Sequence, residues 1–176
     1  PMSITSWKLG PALVMGNSIV VKPAENSSLT AVRMAELAIE AGLPEGVFNV
    51  VPGLGSEAGQ ALARHMDVAK IAFTGSGPTG RKMLQYAAES NMKQVSLELG
   101  GKSPQVVLAD CTNLKNAAET IGWAIYYNAG QTCNAGSRII VESAVKEELF
   151  HHLKEFAKSF KVGNPLDPET QMGPIV

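Results

Sequence analysis

Cysteine is nearly absent. Only Cys111 and Cys133 occur, with no CxxC spacing and no cluster with histidine, which argues against a disulfide framework and against a Cys/His zinc site. Long apolar runs are missing as well: no stretch approaches the roughly 18 residues needed to cross a bilayer, and no charged-then-apolar leader opens the sequence. Like charges never gather into blocks. Fifteen basic against sixteen acidic residues leave a formal net charge of −1, which offers no footing for nucleic acid or an anionic membrane. The three histidines, His65, His151 and His152, have no visible reason to meet either cysteine, so a Cys–His hydrolase is poorly supported. These absences lead to the expectation of a cytoplasmic protein in a reducing compartment, acting on a small molecule.

What is present suits a globular fold. At 176 residues and 45% hydrophobic composition, the chain has material for one sizeable core or two small ones. It opens on Pro1-Met2 at what reads as a loop-to-helix entry and closes on Pro174-Ile175-Val176, and the expectation is a piece of a longer protein. Short β-branched runs at residues 18–22, 47–51, 69–73 and 94–98 alternate with helical patterns at 29–41, 56–64 and 79–89. This rhythm predicts an α/β fold, a parallel sheet with flanking helices of Rossmann-like type. A second set follows: strands at 105–109 and 137–142, and helices at 113–127, capped by Asn113, and 144–160. Between the two sets Gly100-Gly101 frees the backbone and marks the expected boundary, giving segments 1–99 and 100–176.

Parallel sheets bind ligands outside the carboxyl ends of their strands, so the residues just after each strand carry the chemistry. Gly75-Ser76-Gly77-Pro78-Thr79-Gly80 is a literal GxGxxG between a strand and a helix, the geometry of a phosphate cradle or of a plain tight turn. Lys22-Pro23-Ala24-Glu25 follows the first strand. Its lysine and glutamate suit two ribose hydroxyls, with the carboxylate repelling an added 2′-phosphate, and equally suit a solvated surface pair. Glu98, 23 residues after Gly75, fits a ribose-binding carboxylate, a general base in a partly desolvated place, or a strand-end glutamate in water. Cys133 lies in the small-residue loop Asn128-Ala129-Gly130-Gln131-Thr132-Cys133-Asn134-Ala135-Gly136. Such neighbours leave a sulfur accessible and let backbone N–H groups approach a reacting oxygen, whereas Cys111 lacks these surroundings.

Taken together, Trp7-Lys8-Leu9-Gly10-Pro11-Ala12-Leu13, Gly16-Asn17, Lys22-Pro23-Ala24-Glu25, Phe73-Thr74-Gly75-Ser76, Glu98-Leu99-Gly100-Gly101-Lys102-Ser103-Pro104 and Gly130-Gln131-Thr132-Cys133 resemble the aldehyde dehydrogenase superfamily across essentially the whole chain. The resemblance inclines toward the broad-specificity branch that includes enzymes acting on aminoaldehydes. It implies that residues 1–99 form the C-terminal portion of an NAD-binding domain, and 100–176 the N-terminal portion of a catalytic domain. It makes Cys133 the nucleophile, with its own N–H as half of an oxyanion hole, and Glu98 the base. It gives Lys22 and Glu25 to the adenosine ribose, Gly55 and Gly59 to the adenine side, Gly75, Ser76 and Gly80 to the pyrophosphate, and Leu99 to the nicotinamide surroundings. The implied cofactor is NAD rather than NADP, with no metal, and the full-length protein is expected to be a homo-oligomer. Pro1 resembles the last residue of a Pro-Trp-Asn-Phe-Pro segment whose asparagine supplies the other oxyanion donor, so the 176 residues alone are expected to be inactive. A non-catalytic nucleotide-binding relative and a cofactor-independent thiol esterase are the alternatives.

Overall fold

The computed structural model describes residues 2–175; the readings placed on Pro1 and Val176 lie outside them. The chain divides into two compact units between Leu99 and Gly100.

In the first unit, helices α1 (Met2–Val14), α2 (Leu29–Glu40), α3 (Gln60–Arg64) and α4 (Gly77–Ala88) alternate with strands β1 (Ile19–Val21), β2 (Phe48–Val50), β3 (Lys70–Gly75) and β4 (Gln94–Leu99). β1 pairs in parallel with β2, and β3 with β4, with Thr74 level with Glu98 and Gly75 with Leu99. Residue alternation in β4 explains its two faces: Val95, Leu97 and Leu99 are half-buried, while Gln94, Ser96 and Glu98 are exposed. α4 answers with buried Gly80, Met83 and Ala87, spaced to fall on one side of a helix. α2 ends where Gly42, at φ +91°, lets Leu43 N–H reach back to the Ala38 carbonyl and close the helix.

Among the described residues of this unit one charged side chain is buried. Lys93, 7% exposed, donates through Nζ to the Ala63 carbonyl at 2.7 Å and to Ser90 Oγ at 2.8 Å. Ser90 in turn donates to the Tyr86 carbonyl at 2.7 Å. The ammonium thus sits among the carbonyl ends of α3 and α4, where helix dipoles favour a cation.

In the second unit, parallel strands β5 (Pro104–Val107) and β6 (Arg138–Val141) accompany α5 (Leu114–Tyr126) and α6 (Lys146–Ser159). Asn113 Oδ1 accepts the Asn116 N–H at 2.9 Å and caps α5, as its residue type predicts. Val107, Leu114, Ala118, Ile121 and Leu149 form the core. Leu149 is 1% exposed, a burial worth about 1.5–3 kcal/mol. Gly122 lets α6 approach closely: a Cβ there would lie 2.2 Å from Phe156 Cδ1.

Several expected elements differ in detail. The helix foreseen over 56–64 begins as a π-type turn, Gly55–Gly59, because glycines at both its ends weaken the α-helical preference and Gly55 N–H bonds Glu25 instead. The helix foreseen over 144–160 starts with a 3₁₀ turn, Ser143–Val145, and a similar turn, Glu25–Ser27, follows β1. Among the described residues no helix is long and apolar enough to cross a membrane, and no group of three His, Cys, Asp or Glu side chains is placed to hold a metal.

Candidate active site

The residues singled out in the first unit follow the carboxyl ends of its parallel strands. Lys22 comes directly after β1, Glu25 opens the 3₁₀ turn beyond it, and the turn Gly55–Gly59 follows β2. These four converge. Lys22 Nζ lies 3.4 Å from Glu25 Oε1 and donates to the Gly53 carbonyl at 3.1 Å, while Glu25 Oε1 accepts the Gly55 N–H at 2.6 Å. A Cβ on Gly59 would lie 3.4 Å from Lys22 Cδ, and one on Gly55 3.5 Å from Glu25 Oε1. A Cβ at either position would make ordinary contact, and as glycines they leave the ground beside the ammonium and the carboxylate open. Its own backbone N–H, then that of Gly55, then the Lys22 ammonium hold the Glu25 carboxyl below the usual glutamate range.

A second group gathers at the start of α4. Ser76 is its N-cap, with Oγ accepting the Thr79 N–H at 3.4 Å, and Pro78 occupies the first turn without losing a needed donor. The first turn of this 12-residue helix carries no acidic side chain. Gly80 is buried, and a Cβ on it would lie 3.0 Å from Leu99 Cδ2; on Gly75 it would lie 2.6 Å from Phe73 Cζ. At Gly77 a Cβ would meet nothing within 4 Å. A ribose diol beside Lys22 and Glu25 and a pyrophosphate at the α4 N-terminus fit this donor set. The Leu99 side chain lies against Gly80.

Glu98 departs from one expectation. Its side chain is exposed at the end of β4, because it points to the face opposite α4, so this chain alone does not desolvate it. On that same polar face Lys8 Nζ donates to Thr74 Oγ1 at 2.6 Å, a tether from α1 that sequence pattern did not disclose.

In the second unit, Cys133 stands in a tight turn closed by Ala135 N–H donating to the Thr132 carbonyl at 3.2 Å. Its side chain is half-buried, while Ala135 and Gly136 behind it are buried. A Cβ on Gly101 would lie 3.4 Å from the Cys133 carbonyl, so the second glycine of the Gly-Gly pair borders this turn. Beside it opens a cleft of about 390 Å³ lined by Trp123, Ala124, Tyr127, Thr132 and Asn134, which includes both sequence neighbours of the cysteine. Trp123 and Tyr127, four apart at the end of α5, are residues the sequence reasoning missed; their i, i+4 spacing on one helix face is the signal that was available. Cys111 is half-buried and packs against the core of the unit.

Over residues 1–176 the sequence matches the aldehyde dehydrogenase family. It is 53% identical to the NADP/NAD-dependent aldehyde dehydrogenase PuuC of Escherichia coli (strain K12), over 176 residues that make up all of this chain and 36% of that protein. Aminoacetaldehyde dehydrogenase of Pseudomonas aeruginosa is 51% identical with the same coverage. Among solved structures, gamma-glutamyl-gamma-aminobutyraldehyde dehydrogenase of Burkholderia cenocepacia J2315 superposes with a TM-score of 0.95 at 54% identity, over 99% of this chain and 35% of that one. An indole-3-acetaldehyde dehydrogenase in complex with NAD+ gives 0.95 at 52%, over 98% and 35%. The chain therefore spans about a third of the length of these relatives. Whole-length sequence similarity, a parallel α/β architecture and the match to solved relatives agree: this chain belongs to the aldehyde dehydrogenase family.

Proposed function

We propose that these residues serve an enzyme that oxidises an aldehyde to a carboxylic acid with NAD, with residues 1–99 as part of its cofactor domain and 100–176 carrying the nucleophile. The observation that carries this reading is Cys133: it stands in a braced tight turn beside an uncharged cleft, in a chain matching the family end to end.

Cys133, as a thiolate, attacks the aldehyde carbon, and the carbonyl oxygen becomes an oxyanion facing the Cys133 N–H. Bound NAD supplies the acceptor for the hydride that leaves this carbon. Glu98 takes the proton from the water that cleaves the resulting Cys133 thioester, releasing the carboxylic acid and restoring the thiol. Lys22 and Glu25 hold the adenosine ribose, the open ground at Gly55 and Gly59 admits the adenine side, and Gly75, Ser76 and Gly80 shape the phosphate site. Leu99, by seating α4 on β4, fixes the backbone beside the nicotinamide. The Glu25 carboxylate favours NAD over NADP by charge repulsion. The substrate belongs to the broad class that includes aminoaldehydes, a reading supported by the names of relatives above 50% identity. The protein is placed in the cytoplasm and works as a homo-oligomer of the full-length chain.

The test uses the full-length protein carrying this segment, with NAD and a panel of aminoaldehydes, arylacetaldehydes and simple alkanals. Cys133→Ala is expected to abolish NADH formation. Glu98→Gln is expected to slow thioester hydrolysis, so that any first-turnover burst outlasts a crippled steady state. NADH formation that survives Cys133→Ala would overturn the mechanism, and unchanged deacylation in Glu98→Gln would remove glutamate as the base.

A further inference from the structure

The turn that carries Cys133 is held at both ends by groups outside it. Upstream, after α5, the chain runs left-handed for three residues, with φ at +51° for Asn128, +55° for Ala129 and +72° for Gly130. L-residues adopt that region at a cost of roughly 1–2 kcal/mol each, so something must hold it. Asn128 does so on both sides: its carbonyl accepts the Gln131 N–H at 3.0 Å and its Nδ2 donates to the Gln131 carbonyl at 3.1 Å. Downstream, Gly136 N–H donates to the Ala124 carbonyl at 3.2 Å, and the Gly136 carbonyl accepts from Gln105 Nε2 at 2.7 Å. The fit is tight, since a Cβ on Gly136 would lie 2.3 Å from that nitrogen.

Gln105 is an unusual choice for its place. It lies on β5 two residues before buried Val107, hence on the same core-facing side, where an apolar residue would extend the core. Its neighbour Val106, on the opposite face, is 61% exposed. The half-buried amide has as its partner the backbone of the Cys133 loop.

Resting on the reading of Cys133 as nucleophile, we propose that Gln105 is a positioning residue for the reaction. Its amide and the left-handed turn through Asn128 clamp the loop from opposite ends and set the direction of the Cys133 N–H toward the reacting oxygen. A clamp of this kind matters most once the oxyanion forms, so its loss falls on kcat rather than on cofactor binding.

The experiment compares Gln105→Met, Gln105→Glu and Asn128→Ala with the wild type in the full-length protein carrying this segment. Four quantities are read: kcat, aldehyde KM, NAD affinity by fluorescence, and the rate at which iodoacetamide alkylates Cys133. Loss of aim at one oxyanion donor is expected to lower kcat about 10–100-fold in Gln105→Met, less than outright removal of a donor. NAD affinity and alkylation rate are expected to stay within about twofold, because neither uses the oxyanion donor. Gln105→Glu is expected to recover toward acid pH, where a protonated carboxyl again donates to Gly136. A wild-type kcat in both Gln105 variants overturns the proposal, as does a kcat that falls only in step with NAD affinity and alkylation rate. If Gln105→Met does not fold, Asn128→Ala, altered at an exposed residue, decides by the same split. A wild-type protein forming no NADH from any aldehyde would sink the assigned reaction instead, before any variant is compared.

Discussion

The Lys22 ammonium bridges two loops: 3.4 Å from the Glu25 carboxylate after β1, it also donates to the Gly53 carbonyl after β2. The paired carboxyl ends of these strands are thereby stitched at the point where the ribose is proposed to bind. Glu25 keeps acceptor capacity beyond its bond to Gly55, because an ionised carboxylate offers about four lone-pair sites.

Replacing that carboxylate should weaken cofactor binding. Hydrogen bonds to a charged group are worth roughly 1.5–3 kcal/mol, so Glu25→Gln in the full-length protein should raise the NAD dissociation constant about tenfold or more. The preference over NADP should shrink at the same time, because the repulsion of a 2′-phosphate is gone. Fluorescence titrations with both cofactors check this; equal affinities in wild type and variant would remove Glu25 from the site.

The same group gives a pH signature. With its folded pKa depressed, the contribution of Glu25 to stability is present above the unfolded value, about 4.3, and is lost as pH falls through the lower folded value. Exposure makes that contribution small. Carboxyl carbon chemical shifts followed by NMR should show Glu25 titrating below an ordinary glutamate, and moving upward in Lys22→Met. A Glu25 midpoint indifferent to Lys22→Met would show that the ammonium does not reach it in solution.

Gly122→Ala should destabilise the second unit. A Cβ 2.2 Å from the Phe156 ring forces α5 and α6 apart, an overpacking cost of about 1–3 kcal/mol that outweighs the gain of roughly 1 kcal/mol in helix propensity. Denaturant unfolding of the full-length protein, followed at Trp123, is the measurement. A variant as stable as wild type would mean that the Phe156 ring swings aside at no cost.

Residues 1–176 made alone should form little or no NADH from any aldehyde. The proposed reaction draws on groups beyond the third of its relatives that this chain spans, among them a second oxyanion donor worth on the order of 10²–10³ in rate. Steady aldehyde-dependent NADH production by the purified 176 residues would contradict this.

Much of this was legible in the sequence, for identifiable reasons. Parallel pairing could be read because the β-branched runs at 18–22, 47–51 and 69–73 are each followed by a helical period, with Gly or Pro at the joins. The Asn113 cap was visible because an Asn side chain bonds the first turn locally. Local rules also located the turn of Cys133, but not what braces it. Asn128 and Gly130 are residue types that tolerate positive φ, yet Ala129 between them hides the left-handed run. Gln105 and Gly136 are 31 residues apart, and Lys8 and Thr74 are 66 apart. No periodicity links such pairs, since only the tertiary fold decides which polar side chain meets which backbone group.

Lys93 has a consequence of its own. Among the described residues its buried ammonium is held by the Ala63 carbonyl and the Ser90 hydroxyl, with no carboxylate opposite it. That fastening contains no anion, whereas the Lys22–Glu25 stitch depends on one. The rivet joining α3, α4 and the start of β4 therefore needs no counter-charge, while the seam between β1 and β2 does. Loss of the Glu25 charge should therefore loosen the proposed ribose seat and leave the Lys93 rivet in place; the ion pair from Arg64 at the end of α3 to Glu89 just after α4 is the link at that corner that relies on a carboxylate.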